Sequence, residues 1–424
     1  MKEYRPRIAD KLLQEKLEGM GAVLIEGPKY CGKTTTALQQ CKSVLYMEDP
    51  QSKDQNLILA DTNIGRLLRG DVPRLIDEWQ LAPKLWDAVR FEIDRRGEGG
   101  QFVLTGSAVP PSDINTLHSG TGRFSWVTMR PMSLWESGDS TGDISLGSIF
   151  RGGSIDGVSS LCMERLAFLI CRGGWPQSID KKTERAALML AEEYYKSVVR
   201  SDISRVDGVI RDQKRTLRLM RSYARLQGAA APIGTILADM KTNDEDGLHE
   251  NTVYSYINAL KKIFVIEESP AWNPNLRSKT AIRTSDTRYY IDPSIATAAL
   301  GLSPKDLIDD LKTMGLFFET MCIRDLRVYA DAIGGSVYHY RDKSGLECDA
   351  VLHLRDGSYG LIEIKLGGSI LIEEGVQTLT SLAKKIDTDR MKVPSFLLVL
   401  TGVGEYAYRR KDGVYVVPIG CLKD

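Results

Sequence analysis

The chain is predicted to be an α/β protein whose amino-terminal part contains a parallel sheet. Three observations lead to this fold class. Short apolar runs alternate with helical periodicity over the first 107 residues, as expected for parallel strands joined by helices. A glycine-rich loop lies between the first apolar run and a helix. Near the carboxyl terminus, two neighbouring strand patterns carry two carboxylates and a lysine. The strand-like runs of the first part are 22–26, 43–47, 73–79 and 101–107, and its helical stretches are 34–41, 56–69 and 84–96.

The glycine-rich loop runs from Gly27 to Thr34 and has the pattern G-x-x-x-x-G-K-[ST]. Such a loop brings backbone N–H groups close to a polyphosphate, while its lysine reaches the β/γ-phosphates and its hydroxyl residue holds Mg²⁺. The following helix N-terminus also favours an anion. We therefore expect ATP with Mg²⁺ as cofactor. The expected contacts are Gly27, Pro28, Lys29, Tyr30, Cys31, Gly32, Lys33, Thr34 and Thr35, with Thr34 as a metal ligand.

The apolar run at 73–79 contains two consecutive carboxylates, Asp77 and Glu78. Asp77 is expected to bind the Mg²⁺ of the nucleotide, and Glu78 to orient and polarise the attacking water. The alternative is a solvated turn at a strand end. The strand at 101–107 could lie between this strand and the one before the loop, which would bring Thr105 or Ser107 near the γ-phosphate.

Several stretches resemble bacterial and archaeal AAA-type ATPases whose C-terminal region is a DUF4143 domain, a domain of unknown function with a nuclease-like core. The resemblance covers nearly the whole chain. It implies that an arginine beyond the 101–107 strand meets the γ-phosphate, in cis or from a neighbouring subunit, and Arg123 is at that position. A surface-loop role for Arg123 remains the alternative. The matching stretches are 4–7, 27–34, 75–78, 104–107, 122–123, 173–176 and 200–203.

Composition limits the function classes. The 424 residues correspond to about three domains. The formal net charge of zero excludes a global field that attracts nucleic acid or anionic membranes. No apolar stretch reaches the roughly 18 residues of a membrane helix, and the amino terminus has no apolar signal core. The seven scattered cysteines indicate reduced thiols in the cytoplasm, and the four histidines are too dispersed for a zinc site.

We predict four segments: an ATPase domain at 1–150, its helical extension at 151–213, a winged-helix-like domain at 214–300 and a nuclease-like domain at 301–424. In the third segment, three helical patterns precede two strand-like runs at 264–267 and 288–291, with a polar turn at 244–247. The third helix could enter a DNA major groove. The alternative is that the segment only joins subunits or domains, which the small number of cations on the third helix favours. Its candidate DNA contacts are Asn251, Tyr254, Ser255 and Lys261.

The carboxyl-terminal pattern consists of Asp349 on one strand, a turn at 355–357, and Glu363 and Lys365 on the next strand. Residues two apart on a strand share one face. The pattern resembles the restriction-endonuclease-like, PD-(D/E)xK-type core, in which two carboxylates hold Mg²⁺ or Mn²⁺ and the lysine polarises a water. The resemblance also implies an extra acid at Glu319. A cross-strand salt bridge is the simpler alternative. Gln377, on a downstream helix, matches a glutamine that is common in related nucleases.

Together these features predict a cytoplasmic ATPase, without a membrane segment, that is coupled to a metal-dependent, DNA-binding or DNA-cleaving carboxyl-terminal domain. Self-association is possible, because AAA-type ATPases often supply an arginine to a neighbouring subunit. The alternative is an ATP-switched regulatory or interaction protein whose nuclease-like domain is not catalytic.

Overall fold

The computed structural model describes residues 4–107, 121–229, 231–241, 248–273, 286–389 and 391–424. Its chain divides into two compact units by packing. The first unit contains Met1–Arg130, Asp202–Ile210 and Ala259–Phe264. The second unit contains Pro131–Ser201, Arg211–Asn258 and Val265–Asp424.

The first unit contains a parallel sheet of five strands, as predicted. Its strands follow the order β2-β3-β4-β1-β5 across the sheet, and every pairing is parallel. The prediction that the 101–107 strand lies between the strand before the loop and the strand of Asp77 is confirmed, since β4 pairs with both β1 and β3. The strands are β1 (Ala22–Glu26), β2 (Ser43–Tyr46), β3 (Arg74–Asp77), β4 (Phe102–Gly106) and β5 (Phe124–Thr128).

Apolar clusters on the sheet explain why these runs form strands. The central strands β1 and β4 are buried along almost their whole length, which accounts for their continuous apolar sequence. Leu24, Ile76 and Leu104 belong to one buried cluster together with Trp79 and Trp86. A second cluster consists of the alternate strand residues and of helix residues, namely Ala9, Leu13, Leu17, Val23, Ile25, Cys31, Ala37, Leu75, Val103, Val127 and Met129.

The helices lie close to the predicted positions. The helix after the loop begins at Lys33, and the helix predicted at 84–96 has those bounds. The first ten in chain order are α1 (Ile8–Gly19), α2 (Lys33–Gln40), α3 (Lys53–Thr62), α4 (Ile64–Leu67), α5 (Lys84–Arg96), α6 (Leu134–Ser137), α7 (Leu146–Phe150), α8 (Met163–Arg172), α9 (Pro176–Ile179) and α10 (Glu184–Ser197). The remaining helices are α11 (Ile203–Arg205), α12 (Gln213–Arg225), α13 (Ile233–Met240), α14 (Glu250–Lys262), α15 (Pro293–Leu300), α16 (Pro304–Asp309), α17 (Leu311–Ala332) and α18 (Ser369–Lys385).

The second unit contains a separate mixed sheet of six strands, in the order β11-β12-β10-β9-β8-β7. The β7-β8-β9 strands are antiparallel neighbours, whereas β9, β10 and β12 are parallel. Helix α18 packs on β9 and β10. The strands are β7 (Gly335–Arg341), β8 (Glu347–Leu354), β9 (Tyr359–Lys365), β10 (Phe396–Thr401), β11 (Tyr408–Arg409) and β12 (Tyr415–Pro418).

The predicted boundary at residue 150 differs from the division by packing, which falls after Arg130. The reason is a strand pairing that sequence patterns do not reveal. A short strand, β6 (Ile144–Ser145), pairs in parallel with β13 (Leu422–Lys423), near the carboxyl terminus. Residues 131–150 are therefore part of the second unit.

The predicted winged-helix segment contains its three helices, α12, α13 and α14. Its expected wing strands are isolated bridges instead, between Ile266 and Tyr290 and between Ser269 and Thr287. The polar turn at 244–247 lies outside the described residues. Among the residues that the structure describes, no helix has both the length and the apolar character needed to cross a membrane.

Candidate functional site

The phosphate loop follows β1 and ends in α2, with backbone conformations that favour glycine. Gly27 has φ 148° and Gly32 has φ 104°. A Cβ built on Gly27 would lie 2.1 Å from the carbonyl oxygen of Met129. Only glycine fits at this position. Tyr30, farther along the same loop, has a positive φ as well, of 63°. The loop therefore curves tightly, which is the geometry that brings backbone N–H groups around an anion.

Lys33 is buried at the start of α2. Its ammonium donates hydrogen bonds to the carbonyl oxygens of Gly27 and Pro28, at 2.9 and 2.8 Å. The Lys33 side chain thus crosses the inside of the loop, where a polyphosphate would meet it.

Thr34, Asp77 and Thr105 come together at the carboxyl ends of the strands. The hydroxyls of Thr34 and Thr105 both donate to Oδ1 of Asp77, at 2.7 and 2.6 Å. The register explains the second contact, because Asp77 and Thr105 are partners in the β3-β4 ladder. The arrangement joins the loop to the strand that was predicted to supply the metal-binding carboxylate.

Glu78 has a left-handed backbone, with φ 56°, which is costly for a residue with a Cβ. Its carboxylate accepts hydrogen bonds from the Gln80 amide and, at 3.4 Å, from the Ser107 hydroxyl. Burial raises the pKa of Glu78, while the Lys33 ammonium opposes that increase. Glu78 is therefore a half-buried carboxylate with a raised pKa near the loop lysine, which are properties suited to a general base.

Sequence patterns missed the side chains that support the loop from outside. The buried Arg7 guanidinium donates to the carbonyl oxygens of Cys31 and Arg130, both at 2.8 Å. The Tyr4 hydroxyl lies 3.0 Å from the hydroxyl of Thr36 on α2. Their only signal was the 4–7 stretch of the family resemblance.

Asp202 also reaches the loop. Its Oδ1 lies 2.7 Å from the Lys29 ammonium. Asp202 belongs to the 200–203 stretch of the same resemblance, but nothing in the sequence pattern connects it with the phosphate loop.

Arg123 is distant from the loop of its own chain. It immediately precedes β5, and its carbonyl oxygen accepts the N–H of Ala22 at the beginning of β1. The loop follows the other end of β1. The Arg123 guanidinium is exposed and lies 2.8 Å from Asp94. An in-cis contact with the nucleotide is thus excluded by this geometry, whereas a role in trans stays a prediction.

In the second unit, the structure brings Asp349, Glu363 and Lys365 together on β8 and β9. The Lys365 ammonium lies 2.8 Å from Glu363 Oε2 and 3.8 Å from Asp349 Oδ2. The Ile364 N–H donates to Asp349 Oδ2 at 2.8 Å. Burial and then the Asp349 charge raise the pKa of Glu363 to about 8, despite the Lys365 ammonium. The predicted cluster is therefore present as a compact carboxylate–lysine group.

Glu319 lies near this group, since it lines a small cavity that Asp349 also lines. Its Oε1 accepts a 2.6 Å hydrogen bond from the buried Tyr289 hydroxyl. A Cβ on Gly228 would lie 2.9 Å from the same oxygen. Tyr289 and Gly228, which no pattern singled out, therefore enclose the Glu319 carboxylate.

The remaining predicted positions are Gln377 and the candidate DNA contacts on α14. Gln377 is exposed on α18. On α14, Asn251, Tyr254 and Ser255 are exposed, and Ser255 accepts a hydrogen bond from Arg211. Within the described ranges, no group of three or more His, Cys, Asp or Glu side chains has an arrangement suited to a metal ion.

Three family models match successive parts of the chain. A model described as an AAA domain matches residues 20–137. Two domains of unknown function follow, DUF8612 at residues 163–306 and DUF4143 at residues 314–422. The first match covers the phosphate loop and Asp77, and the last covers the carboxylate–lysine group.

The similar curated proteins include Uncharacterized protein Rv2008c of Mycobacterium tuberculosis and Uncharacterized protein Mb2031c of Mycobacterium bovis. Each is 22% identical over 415 residues, which are 97% of this chain and 83% of the relative.

Among solved structures, AMPPCP-bound DnaA from Aquifex aeolicus has a TM-score of 0.28 at 13% identity and covers 62% of this chain and 89% of its own. Cdc6p from Pyrobaculum aerophilum has a TM-score of 0.24 at 13% identity, with 73% and 97% covered. The family models thus place an AAA domain around the phosphate loop and a DUF4143 region around the carboxylate–lysine group.

Proposed function

We propose that the protein binds ATP with Mg²⁺ at the phosphate loop and hydrolyses it. The observation that carries this proposal is the contact of Thr34 and Thr105 with Asp77 at the mouth of the loop. Hydroxyl and carboxylate oxygens are the ligands that Mg²⁺ prefers. The residues present therefore fit the metal and the polyphosphate.

Each residue then has a distinct role in hydrolysis. The backbone N–H groups of the loop and the Lys33 ammonium bind and neutralise the phosphates. Thr34 and Asp77 would hold Mg²⁺, which when bound neutralises charge on the phosphate oxygens. Glu78 orients the attacking water and accepts its proton, and Ser107 and Gln80 hold the Glu78 carboxylate in place.

We further propose that the second unit carries out a metal-dependent reaction on DNA. The support is the grouping of Asp349, Glu363 and Lys365 on adjacent strands, with Glu319 close by. Asp349 and Glu363 would hold Mg²⁺ or Mn²⁺, which when bound activates a water for attack on phosphorus. Lys365 would stabilise charge on that water or on the phosphate. ATP binding in the first unit would regulate this reaction.

A second candidate function is an ATP-switched regulator whose carboxyl-terminal fold binds a partner without catalysis. One observation favours it. Lys365 already pairs with Glu363 and lies close to Asp349, and the described part of the chain holds no metal-suited group of three.

The deciding experiment measures ATP hydrolysis and the cleavage of plasmid and linear DNA, with Mg²⁺ or Mn²⁺ and with or without ATP. Lys33→Ala and Glu363→Ala are compared with the control variants Lys11→Ala and Glu374→Ala, which change exposed side chains. We expect Lys33→Ala to abolish hydrolysis and Glu363→Ala to abolish cleavage. ATP hydrolysis without any cleavage would favour the regulator, and wild-type hydrolysis by Lys33→Ala would overturn the ATPase proposal.

A further inference from the structure

An ion pair joins the phosphate loop to a segment almost two hundred residues away in sequence. Lys29 is the third residue of the loop, and its ammonium lies 2.7 Å from Asp202 Oδ1. The Lys29 side chain is 40% exposed, whereas that of Asp202 is only 9% exposed. A carboxylate that is so little hydrated depends on its partner, because removing one member of a buried pair leaves a costly uncompensated charge.

The position of Asp202 in the chain is also unusual. It ends a π-helical turn, Val198–Asp202, between α10 and α11. Such turns interrupt the regular helical hydrogen bonds and frequently lie at functional sites. The chain passes from the second unit at Ser201 to the first unit at Asp202. The ion pair thus ties one of the residues at which the chain enters the first unit to the phosphate loop.

We propose that Asp202 is a positioning residue that senses the nucleotide by competing with its phosphates for Lys29. This inference rests on the proposed binding of ATP. A bound polyphosphate adds several negative charges beside the loop, within the roughly 8 Å over which charges interact at physiological salt. The Lys29 ammonium is attracted to these charges, whereas the Asp202 carboxylate is repelled by them.

Two consequences follow from this competition. Phosphate binding weakens the hold of Lys29 on Asp202 and so loosens the π-helical turn. By thermodynamic linkage, the factor by which bound phosphate weakens the Lys29–Asp202 ion pair equals the factor by which the Asp202 charge weakens phosphate binding. The amino-terminal ATP site would in this way change the segment through which the chain leads to the second unit.

The first test measures the affinity of the full-length protein for ATP and for ADP by calorimetry, with Mg²⁺. Asp202→Asn keeps the shape and removes the charge, and we expect it to bind ATP about 5-fold more tightly or better. Asp202→Glu should restore the wild-type affinity. The matched control is Asp61→Asn, which neutralises an exposed carboxylate paired with Lys84 at 2.6 Å and should leave the affinity unchanged.

The second test measures hydrogen exchange of residues 198–210, with and without ATP. In the wild type, ATP should accelerate exchange of these residues. In Asp202→Asn and in Lys29→Gln, exchange should be fast without ATP, and ATP should not change it. Lys29→Gln changes a partly exposed side chain, so this variant remains informative if Asp202→Asn does not fold.

The outcomes separate this inference from the proposed function. Failure of the wild type to bind ATP would overturn both. ATP binding that is lost in Lys33→Ala supports the ATP site. If Asp202→Asn then binds ATP with wild-type affinity, and if Asp202→Asn and Lys29→Gln both exchange at the wild-type rates with and without ATP, the role of Asp202 alone is overturned.

Discussion

Glu78 has a costly backbone conformation and also carries a carboxylate for which we propose a chemical role. Its left-handed backbone costs of order 1–3 kcal/mol for a residue with a Cβ. Surrounding contacts must compensate for this cost. One such contribution is the burial of the neighbouring Trp79 in an apolar cluster of the first unit. This conformation directs the Glu78 side chain toward Lys33 and Ser107, so that one strand end supplies two carboxylates in different surroundings.

We predict that Glu78→Gln retains ATP binding but lowers the hydrolysis rate by about 10²- to 10⁴-fold, because the base is lost. Steady-state hydrolysis and calorimetry check this expectation. In the wild type, the rate should increase as pH rises through the pKa of Glu78, which burial places above its ordinary value. Glu98→Gln, at an exposed position, is the control, and an equal effect of both variants would contradict the role of Glu78.

The burial of Asp325 leads to a prediction about how folding stability depends on pH. It is fully buried beside Arg324, which also pairs with Asp292 at 2.8 Å. Burial raises the pKa of Asp325 from 3.8 to about 6, although Arg324 opposes this. The folded state therefore holds the proton more tightly than the unfolded state does. Between about pH 4 and pH 6, folding stability is lost as pH rises, by about 3 kcal/mol in total.

The measurement is the free energy of unfolding of wild type and Asp325→Asn in denaturant at pH 4, 5, 6 and 7. Relative to the variant, the wild type should lose stability by about 3 kcal/mol over this range. A difference that does not depend on pH would show that Asp325 is not protonated in the folded protein at pH 4.

At the scale of elements, the unit formed by β1, the phosphate loop and α2 depends on the close approach of the Gly27 backbone to the Met129 carbonyl oxygen. β1 is buried, the loop turns back at Gly27, and α2 begins at Lys33 without a side-chain cap. The uncapped N–H groups at the start of α2 suit an anion. In the second unit, the Cβ position of Gly375 lies at an ordinary van der Waals distance of 3.4 Å from Glu363 Cβ, so α18 packs directly beside the carboxylate–lysine group.

Gly27→Ala should abolish ATP binding, because the new methyl group would overlap the Met129 carbonyl oxygen and φ 148° is strained for alanine. Calorimetric titration with ATP tests this expectation. Gly65→Ala is the matched control, since its Cβ meets nothing within 4 Å and lies inside helix α4, where alanine is favoured over glycine. Equal ATP affinity in the two variants would show that the loop does not form the site.

At the scale of the whole molecule, the position of Arg123 bears on whether the protein self-associates. β1 rises about 3.3 Å per residue, and its five residues separate the side of the sheet near Arg123 from the phosphate loop. An arginine at that place can reach only the nucleotide of another copy. A catalytic role for Arg123 therefore requires self-association.

We predict that Arg123→Ala and Lys33→Ala are each inactive in ATP hydrolysis, with a loss of at least about 10³-fold, and that mixing them restores part of the activity. In a mixed assembly, an intact loop can meet an intact arginine. The measurement is hydrolysis as a function of the mixing ratio. Wild-type activity of Arg123→Ala alone would contradict a catalytic role and favour the structural contacts of Arg123 with Asp94 and the Thr121 carbonyl oxygen.

The sequence determined the parts of the protein that depend on local pattern. Alternating periodicity predicted the parallel sheet and the place of β4 within it. The loop motif predicted a glycine-rich loop between a strand and a helix, and the two-residue spacing of Glu363 and Lys365 put both on one face. In each case, the physical constraint acts within one strand, one turn or two neighbouring strands.

Only the tertiary structure decided which distant segments meet. The pairing of Ile144–Ser145 with Leu422–Lys423 moved a domain boundary, and a hydrogen bond brought Tyr289 to Glu319. Asp202 reached Lys29, and Arg123 was placed away from the loop. These contacts depend on how buried elements pack across long separations in sequence. A single side chain such as Asp202 carries no periodic signal that shows which partner it will find.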